Sequence, residues 1–370
     1  MKPLKIILSG GGTGGHIYPA VAIADELKRR HPTAEFLFVG AKDRMEMQKI
    51  PEAGYKVVGL PIAGLQRRLT LKNIWVPFKL IKSLWESKRI LRTFQPTVAI
   101  GTGGYASAPL LRTATRMGIP SLIQEQNAYP GKTNMWLAKG ASKICVAYPH
   151  MEKYFPKDKI VWTGNPIRQA LLEVDSKREQ ALEKFQLEHD RVTVLVLGGS
   201  LGARAINAIM AKSIAFFQAQ NTQVIWQCGQ LYYEQYKAYD QRKHVQVVPF
   251  LKEMDQAYAA ADVIISRAGA LAVSELCVVG KPAVFIPSPN VAEDHQTKNA
   301  LALTQQRAAL MIKESELEEQ FESKIQALLK DEVERDLLGR MIKGLAKPKA
   351  TSAILDAVEE LIQLKETKAG

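Results

Sequence analysis

The fold is decided by the stretch IILSGGGTGGH at residues 6–16. An apolar run ends in five glycines within six positions, and His16 follows them. Apolar residues then recur at helical spacing across residues 17–30, which predicts a strand, a glycine loop and a helix in that order. A helix N-terminus offers unpaired N–H groups, and glycines let a ligand approach the backbone. The stretch therefore indicates either an anion site with a titratable imidazole beside it or a tight structural turn.

Length and composition indicate a globular chain of two α/β domains. The chain has 370 residues, of which 46% are hydrophobic, so it can form two sizeable cores. Its three cysteines, Cys145, Cys228 and Cys277, are too far apart for a metal motif and predict no disulfide framework, so we expect a reducing compartment. We expect no signal peptide and no membrane-spanning segment, because the apolar runs are too short. The net charge of +13 favours anionic partners.

Strand-like runs alternate with helical segments in both halves of the chain, which predicts parallel sheets covered by helices. The predicted strands are residues 5–9, 35–39, 56–60, 98–101, 121–124 and 143–147 in the first half, and 192–197, 223–227, 245–249, 263–266, 283–287 and 309–312 in the second. The Asn165-Pro166 turn separates the halves, so we expect domains at 1–164 and 165–348. A last amphipathic helix at about 351–364 could pack on either domain.

Two further strand-to-glycine junctions lie in the second half. Residues 198–203, GGSLGA, repeat the logic of a phosphate-binding loop, but neither loop has the P-loop ending or a clear dinucleotide-binding pattern. Residues 267–275 contain the other junction, and Glu275 falls about two turns into the helix that is predicted to follow the glycine. A carboxylate can accept two hydrogen bonds from a ribose diol, although an exposed helical glutamate is also common.

Polar residues follow two predicted strands of the first half, at the edge where ligands bind in open α/β sheets. They lie in the segments 101–105, GTGGY, and 124–127, QEQN. Gln296, in the second half, could contact sugar hydroxyls. Ordinary loop capping explains such residues equally well.

A basic stretch at residues 60–92 carries more than half of the net charge. Eight Lys and Arg residues stand against Glu86 alone, and tryptophan and phenylalanine side chains are interleaved with them. This pattern favours contact with an anionic membrane surface, or else a core helix with a solvated basic face. No nucleic-acid module is visible, so we expect no nucleic-acid partner.

Taken together, the motifs resemble those of the MurG family of glycosyltransferases. The matching segments are residues 11–16, 101–105, 124–127, 164–168, 198–203 and 267–275, in the family's order and spacing over nearly the whole chain. The resemblance implies a GT-B fold, with two Rossmann-like parallel-sheet domains facing a cleft. It implies that domain 1–164, joined by a helix at about 349–366, meets the acceptor and the membrane, while domain 165–348 binds the donor.

The family's activity is inverting transfer of N-acetylglucosamine from UDP-N-acetylglucosamine to lipid I, which gives lipid II for peptidoglycan. The resemblance thus implies a hexosyltransferase with no cofactor and no metal, bound peripherally to the cytoplasmic face of the cell membrane. It also implies roles in cell-wall biogenesis, cell shape and division, and partners among cell-wall synthesis and division proteins.

By position, the resemblance makes His16 the candidate for the catalytic base, with Glu125 as its partner or rival. The implied substrate-binding residues are Thr13, Gly14, Gly15, Tyr105, Asn127, Arg168, Ser200, Leu251, Ala270, Leu271, Ala272, Val273, Ser274, Glu275 and Gln296. Arg168 and Ser200 would contact the donor diphosphate, and Glu275 the ribose. Two alternatives are a related enzyme that glycosylates another lipid, such as diacylglycerol, and a non-catalytic module that binds nucleotide sugars.

Overall fold

Each half of the chain forms its own parallel sheet covered by helices. The structure is a computed structural model that describes residues 3–62, 76–199 and 201–369. Unit 1 comprises Met1–Ile167 and Lys349–Gly370, and unit 2 comprises Arg168–Pro348. The division therefore falls after residue 167, whereas the Asn-Pro turn placed it after residue 164.

Within the described residues, unit 1 contains a sheet of seven strands. They are β1 (Lys5–Gly10), β2 (Glu35–Ala41), β3 (Val57–Leu60), β4 (Val98–Gly103), β5 (Ser121–Glu125), β6 (Lys143–Val146) and β7 (Ile160–Trp162). All pair in parallel, in the order β3-β2-β1-β4-β5-β6-β7. The sequence predicts all of them except β7, an edge strand whose three residues are not buried and so lack the apolar run of a buried strand.

Helices cover both faces of this sheet. They are α1 (Gly14–Arg30), α2 (Glu46–Glu52), α3 (Val76–Phe94), α4 (Ser107–Arg116) and α5 (Lys132–Ala138). Ile6 and Leu8 share one core with α1, while Ile7 belongs to the core on the opposite face with α4. This alternation is the two-residue period of a strand buried on both sides.

Unit 2 is built in the same way. Its described strands are β8 (Thr193–Leu197), β9 (Gln223–Gln227), β10 (Val245–Val248), β11 (Val263–Ser266), β12 (Ala283–Phe285) and β13 (Leu310–Met311). They pair in parallel in the order β10-β9-β8-β11-β12-β13, so the predicted class of two Rossmann-like parallel sheets is confirmed. The helices are α6 (Arg178–Lys184), α7 (Arg204–Ala219), α8 (Tyr233–Tyr236), α9 (Met254–Ala260), α10 (Ala270–Val279), α11 (His295–Thr304), α12 (Leu317–Lys330) and α13 (Glu332–Gly344).

The last helix, α14 (Ala350–Ala369), packs on unit 1. Its buried apolar face, which includes Ile354 and Val358, joins the core beneath α1. Arg30 at the end of α1 donates to Asp356 at 2.8 Å and to Glu359 at 3.1 Å. Apolar burial and this ion-pair cluster together attach the C-terminal segment to the first sheet.

Candidate active site

Three segments of unit 1 meet at the carboxyl edge of its sheet. β1, β4 and β5 are neighbours in the strand order, and Gly10 at the end of β1 pairs with Gly103 at the end of β4. The loops that follow these strands therefore start side by side, where ligands bind in open α/β sheets. His16 and Glu125, the two residues expected to perform acid–base chemistry, both lie on these segments.

The imidazole of His16 is held through one of its two nitrogen atoms. Nδ1 lies 3.0 Å from the carbonyl oxygen of Thr102 and 3.0 Å from Oε1 of Gln126. The hydroxyl of Thr102 in turn donates to the carbonyl oxygen of His16 at 2.6 Å. The side chain is half-buried in the first turn of α1. The strands β4 and β5 thus fix the position of a residue that belongs to the β1 loop.

Two glycines after β4 allow the backbone to approach this ring. Gly104 has a φ of +77°, and a Cβ there would lie 2.2 Å from the carbonyl oxygen of Gly11. Gly103 has a φ of +101°, and a Cβ there would lie 3.0 Å from Nδ1 of His16. Side chains at either position would be strained and would displace the loop or the ring. The glycines in segment 101–105 therefore serve the packing around His16.

The carboxylate of Glu125 is buried and fully engaged by its own loop. It accepts hydrogen bonds from the backbone N–H of Asn127 at 3.0 Å, the backbone N–H of Gly131 at 3.1 Å and Nδ2 of Asn134 at 2.8 Å. The Asn127 side chain adds a longer bond at 3.3 Å. These donors fold residues 125–134 around the carboxylate.

Gln126 was singled out in the sequence only as part of the segment 124–127. Its side chain hydrogen-bonds to His16 after β1, to Thr102 in β4 and to Gln124 in β5. Its Nε2 donates to the carbonyl oxygens of Thr102 at 2.7 Å and Gln124 at 2.9 Å. The Gln124 side chain donates to Asn165 at 2.8 Å, and Asn165 donates back to the carbonyl of Gln126 at 3.0 Å. All four side chains are buried, so this network is protected from water.

Glu46 is a residue of this region that sequence reasoning missed. It is fully buried at the start of α2 and accepts hydrogen bonds from Gly12 N–H at 3.1 Å and Ala41 N–H at 3.0 Å. A Cβ at Gly11 would lie 2.2 Å from Oε1 of Glu46, which explains the glycine there. The sequence feature that could have pointed to Glu46 is an acidic residue at the start of the helix after β2, since β2 is the neighbour of β1. A carboxylate therefore lies directly behind the first glycine loop.

The expected substrate-binding residues of unit 1 line this same edge. Thr13 is the exposed N-cap of α1, and Gly14 and Gly15 form its first turn. The ring of Tyr105 is half-buried over Gly12, where an added Cβ would lie 3.3 Å from the ring. Burial raises the pKa of the Tyr105 phenol, with the nearby charge of Arg44 partly opposing the shift. Asn127 is half-buried beside Glu125.

The second glycine loop follows β8 in unit 2. Gly198 is buried, Gly199 is exposed, and α7 begins five residues later at Arg204 with no acidic residue in its first turn. Ser200 lies outside the described residues. The side chain of Gln227 donates to the carbonyl oxygen of Gly199 at 2.9 Å and holds the loop from the neighbouring strand.

Arg168 and Glu275 form a two-bond ion pair with each other in unit 2. Nε of Arg168 donates to Oε1 of Glu275 at 2.8 Å, and Nη2 donates to Oε2 at 2.7 Å. The hydroxyl of Tyr258 lies 3.4 Å from the same carboxylate. Burial alone would lower the pKa of Arg168, but its hydrogen bonds and the charge of Glu275 outweigh burial and raise it. The residues expected at the diphosphate and at the ribose are thus direct partners.

The remaining predicted residues of unit 2 differ in accessibility. Along α10, Leu271, Ala272 and Ser274 are half-buried, whereas Ala270 is 8% and Val273 1% exposed. The Val273 side chain therefore belongs to the core. Leu251 is also buried, at 7% exposure. Oε1 of Gln296 accepts the backbone N–H of Ser288 at 2.9 Å, which fixes the orientation of its amide.

The basic stretch forms α3 over its described part, and one face of this helix carries both exposed apolar and exposed basic side chains. Phe78, Ile81 and Trp85 are 63%, 66% and 64% exposed, and at 3.6 residues per turn they share one face. Lys82 and Arg89 are exposed on the same side, and Arg89 stacks on Trp85 with 5.7 Å between the guanidinium carbon and the ring centroid. The basic residues at 67, 68 and 72 lie outside the described residues. No described helix is both long enough and apolar enough to span a membrane.

All three cysteines are buried, and burial raises the pKa of the Cys145 and Cys277 thiols to about 12, so both stay protonated at neutral pH. Among residues 3–62, 76–199 and 201–369, no group of three or more His, Cys, Asp or Glu is arranged to hold a metal ion.

Comparison with known sequences identifies both halves of the chain. Residues 6–146 match the glycosyltransferase family 28 N-terminal domain, and residues 193–354 match the family 28 C-terminal domain. A Flavobacterium psychrophilum protein is 54% identical over 99% of this chain and 100% of its own length. A Christiangramia forsetii protein is 58% identical over 98% of this chain and 99% of its own length. Both are named UDP-N-acetylglucosamine–N-acetylmuramyl-(pentapeptide) pyrophosphoryl-undecaprenol N-acetylglucosamine transferase.

Comparison of structures agrees with this result. The crystal structure of Acinetobacter baumannii MurG superposes with a TM-score of 0.79, at 28% identity, over 97% of this chain and 100% of that one. A UDP-GlcNAc 2-epimerase from Neisseria meningitidis, bound to UDP-GlcNAc, shares only the fold, with a TM-score of 0.65 at 15% identity over 96% of this chain and 100% of that one. The match to family 28 in both units and the full-length relatives show that this chain belongs to the MurG family of N-acetylglucosaminyltransferases.

Proposed function

We propose that this chain transfers N-acetylglucosamine from UDP-N-acetylglucosamine to the C4 hydroxyl of the muramyl sugar of lipid I, giving lipid II. Relatives named for this reaction match almost the entire chain at 54% and 58% identity. The structural observation that carries the proposal is the imidazole of His16, held through Nδ1 at the carboxyl edge of a parallel sheet. A module that only binds nucleotide sugars needs no such group.

The transfer inverts the anomeric centre in one displacement. The acceptor oxygen attacks C1 of N-acetylglucosamine, and the bond from C1 to the diphosphate oxygen breaks. UDP leaves with that electron pair, while the proton of the C4 hydroxyl passes to a base. General-base catalysis of this kind contributes typically about 10²–10⁴-fold.

We assign the base to His16 rather than to Glu125. The Glu125 carboxylate already accepts hydrogen bonds from two backbone N–H groups and from Asn134, so its lone pairs are directed into its own loop. His16 is half-buried and uses only Nδ1 in the contacts described above. Glu125 then acts as the residue that orders the 125–134 loop, including the substrate-binding candidate Asn127.

We assign donor binding to unit 2. The glycine loop at 198–203 and the start of α7 suit the diphosphate, because helix N-termini and unpaired N–H groups stabilise anions. Glu275 keeps lone pairs for the ribose hydroxyls while it holds Arg168, which can stabilise the charge on the leaving UDP. Leu251 and residues 270–275 would surround uridine, and Gln296 would contact the sugar.

We assign membrane contact to the exposed face of α3. Phe78, Ile81 and Trp85 supply an apolar surface, and Lys82 and Arg89 supply positive charge for anionic headgroups. The acceptor carries a polyprenyl chain, so an enzyme that binds it benefits from lying on the cytoplasmic membrane surface. The product is a peptidoglycan precursor, which accounts for a role in cell-wall growth, cell shape and division and for contact with other proteins of that process.

The acceptor is tested with labelled UDP-N-acetylglucosamine and three matched reactions: lipid I, diacylglycerol, and no acceptor. We expect labelled lipid II from the first reaction and only unreacted donor from the other two. Transfer to diacylglycerol but not to lipid I would overturn the proposed acceptor. Binding of donor without consumption in any reaction would overturn the assignment as an enzyme.

Membrane contact is tested by sedimentation with vesicles. Trp85→Ser should lower binding to vesicles that contain anionic lipid, because it removes apolar area and the stacking partner of Arg89. The matched control is Leu231→Ser, which removes a side chain 72% exposed in unit 2. Equal binding by both variants and the unmodified chain would contradict the assignment to α3.

A further inference from the structure

The position of the proton on the His16 ring can be deduced from its neighbours. A backbone carbonyl oxygen only accepts hydrogen bonds, and Nδ1 lies 3.0 Å from that of Thr102. The second neighbour is the Gln126 side-chain amide, whose orientation is set by its other contacts. Its Nε2 donates to the carbonyl oxygens of Thr102 and Gln124, so Oε1 is the atom that faces Nδ1. Nδ1 therefore carries the proton, and in the neutral ring Nε2 holds the lone pair.

We propose that Gln126 is a positioning residue that keeps His16 in the Nδ1–H form and aims Nε2 at the acceptor hydroxyl. This inference rests on the proposed function, because it needs His16 as the base. Gln126 has 1% of its surface exposed and hydrogen-bonds to Thr102 as well as to His16, so its amide is held rigidly. It orients the imidazole as a carboxylate does in a Ser-His-Asp triad, but without a negative charge.

The neutral amide has a chemical consequence. When Nε2 takes the acceptor proton, the ring becomes positively charged, and Oε1 of Gln126 and the Thr102 carbonyl stabilise that charge as dipoles. A carboxylate at the same position would stabilise the protonated ring more strongly and would keep it protonated to higher pH. An amide therefore orients the ring while stabilising its protonated form less than a carboxylate would.

Other titratable and charged groups on the surrounding elements remain the same in the test variants. They are Glu125 after β5, Glu46 at the start of α2, Arg44 before it, Tyr105 after β4 and Lys132 at the start of α5. Glu125 and Glu46 are engaged by backbone N–H groups of their own loops. Changes at position 126 therefore report on its own contact with the ring.

The test compares two substitutions that act in opposite directions. Gln126→Met has similar length and removes the acceptor, so the acidic limb of the kcat profile should move to lower pH by about one unit, since a hydrogen bond to the charged ring is lost. Gln126→Glu adds a charged acceptor, so the limb should move to higher pH by about one unit or more. A residue that only supports the fold would not give shifts of opposite sign.

Both variants are expected to be less stable, so a matched control is needed. Gln223→Met removes another buried glutamine, on β9 of unit 2, whose side chain donates to the Glu188 carbonyl and the Thr193 hydroxyl. It should lose stability while keeping the pH midpoint of the unmodified chain. A shift in this control as large as that of Gln126→Met would overturn the inference.

A second measurement separates this inference from the proposed function. In the full chain labelled with ¹³C,¹⁵N-histidine, the His16 signals are assigned as those lost in His16→Ala, among six histidines. Nitrogen shifts should report Nδ1–H in the neutral ring, and the titration midpoint should fall in Gln126→Met and rise in Gln126→Glu without any substrate. An Nε2–H ring, or unchanged midpoints, would overturn the inference even if lipid II is formed. The predicted signals without transfer to lipid I would support the geometry and refute only the function.

Discussion

The two glycine loops of this chain share one pattern and differ in what surrounds them. In each unit a central strand ends in glycines and a helix follows, α1 at Gly14 and α7 at Arg204. Behind the first loop lies the buried carboxylate of Glu46, which accepts the N–H of Gly12. His16 stands in the first turn of α1, whereas a basic residue opens α7.

This difference shows that glycines alone do not specify a ligand. An N–H group already bonded to a carboxylate is not offered to a phosphate, and the negative charge behind it disfavours a second anion. Neither helix has an acidic residue in its first turn, but in unit 2 Arg204 opens the helix and adds positive charge there. We therefore interpret the first loop as a support for acid–base chemistry and the second as the phosphate site.

The largest effect is expected from His16→Ala. Removing the base should lower kcat for lipid II formation by about 10²–10⁴-fold. The dissociation constant for UDP should stay the same, because donor binding is assigned to unit 2. Stopped assays at saturating donor give kcat, and calorimetry gives the affinity.

The control for this prediction is His31→Ala at the other end of the same helix. His31 is half-exposed and pairs with Glu359 of α14 at 3.0 Å. It should keep kcat close to that of the unmodified chain. Equal losses in the two variants would remove the special role of His16 and with it the contrast between the loops.

A smaller effect, on stability, is expected from Glu46→Ala. The substitution leaves the N–H groups of Gly12 and Ala41 without their buried acceptor, at a cost of about 1–3 kcal/mol each. The free energy of unfolding in urea should therefore fall by about 2–6 kcal/mol, and lipid II formation should fall because the first loop loses its support. Glu52→Ala, on the exposed surface of α2, is the control and should change neither quantity appreciably. Unchanged unfolding in Glu46→Ala would show that the carboxylate does not hold the loop.

The sequence predicts most of the fold but less of the site, for physical reasons. Strand and helix periods are local signals, so twelve of the strands seen in the described residues are predictable, while β7 is an edge strand whose three residues are not buried. Contacts between distant residues leave no such signal. Arg168 and Glu275 are 107 positions apart, and their pairing appears only once β11 and its helix are folded. In the sequence, Glu46 likewise resembles an ordinary helical glutamate, because its hydrogen bond from the N–H of Gly12 forms only in the folded chain.

The smallest effect is expected from Arg168→Lys, which tests the assignment of donor binding to unit 2. A lysine cannot reproduce the two parallel bonds that hold the Glu275 carboxylate, so Glu275 would be less well positioned for the ribose. We expect UDP to bind about tenfold more weakly, which corresponds to about 1.4 kcal/mol. The control is Lys212→Met, which breaks the exposed Lys212–Glu318 pair between α7 and α12 of unit 2 and should leave UDP affinity unchanged. Arg168→Lys should thus lower the affinity for UDP, whereas His16→Ala should lower only kcat. Loss of affinity in His16→Ala, or full affinity in Arg168→Lys, would contradict the assignment of acid–base chemistry to unit 1 and of donor binding to unit 2.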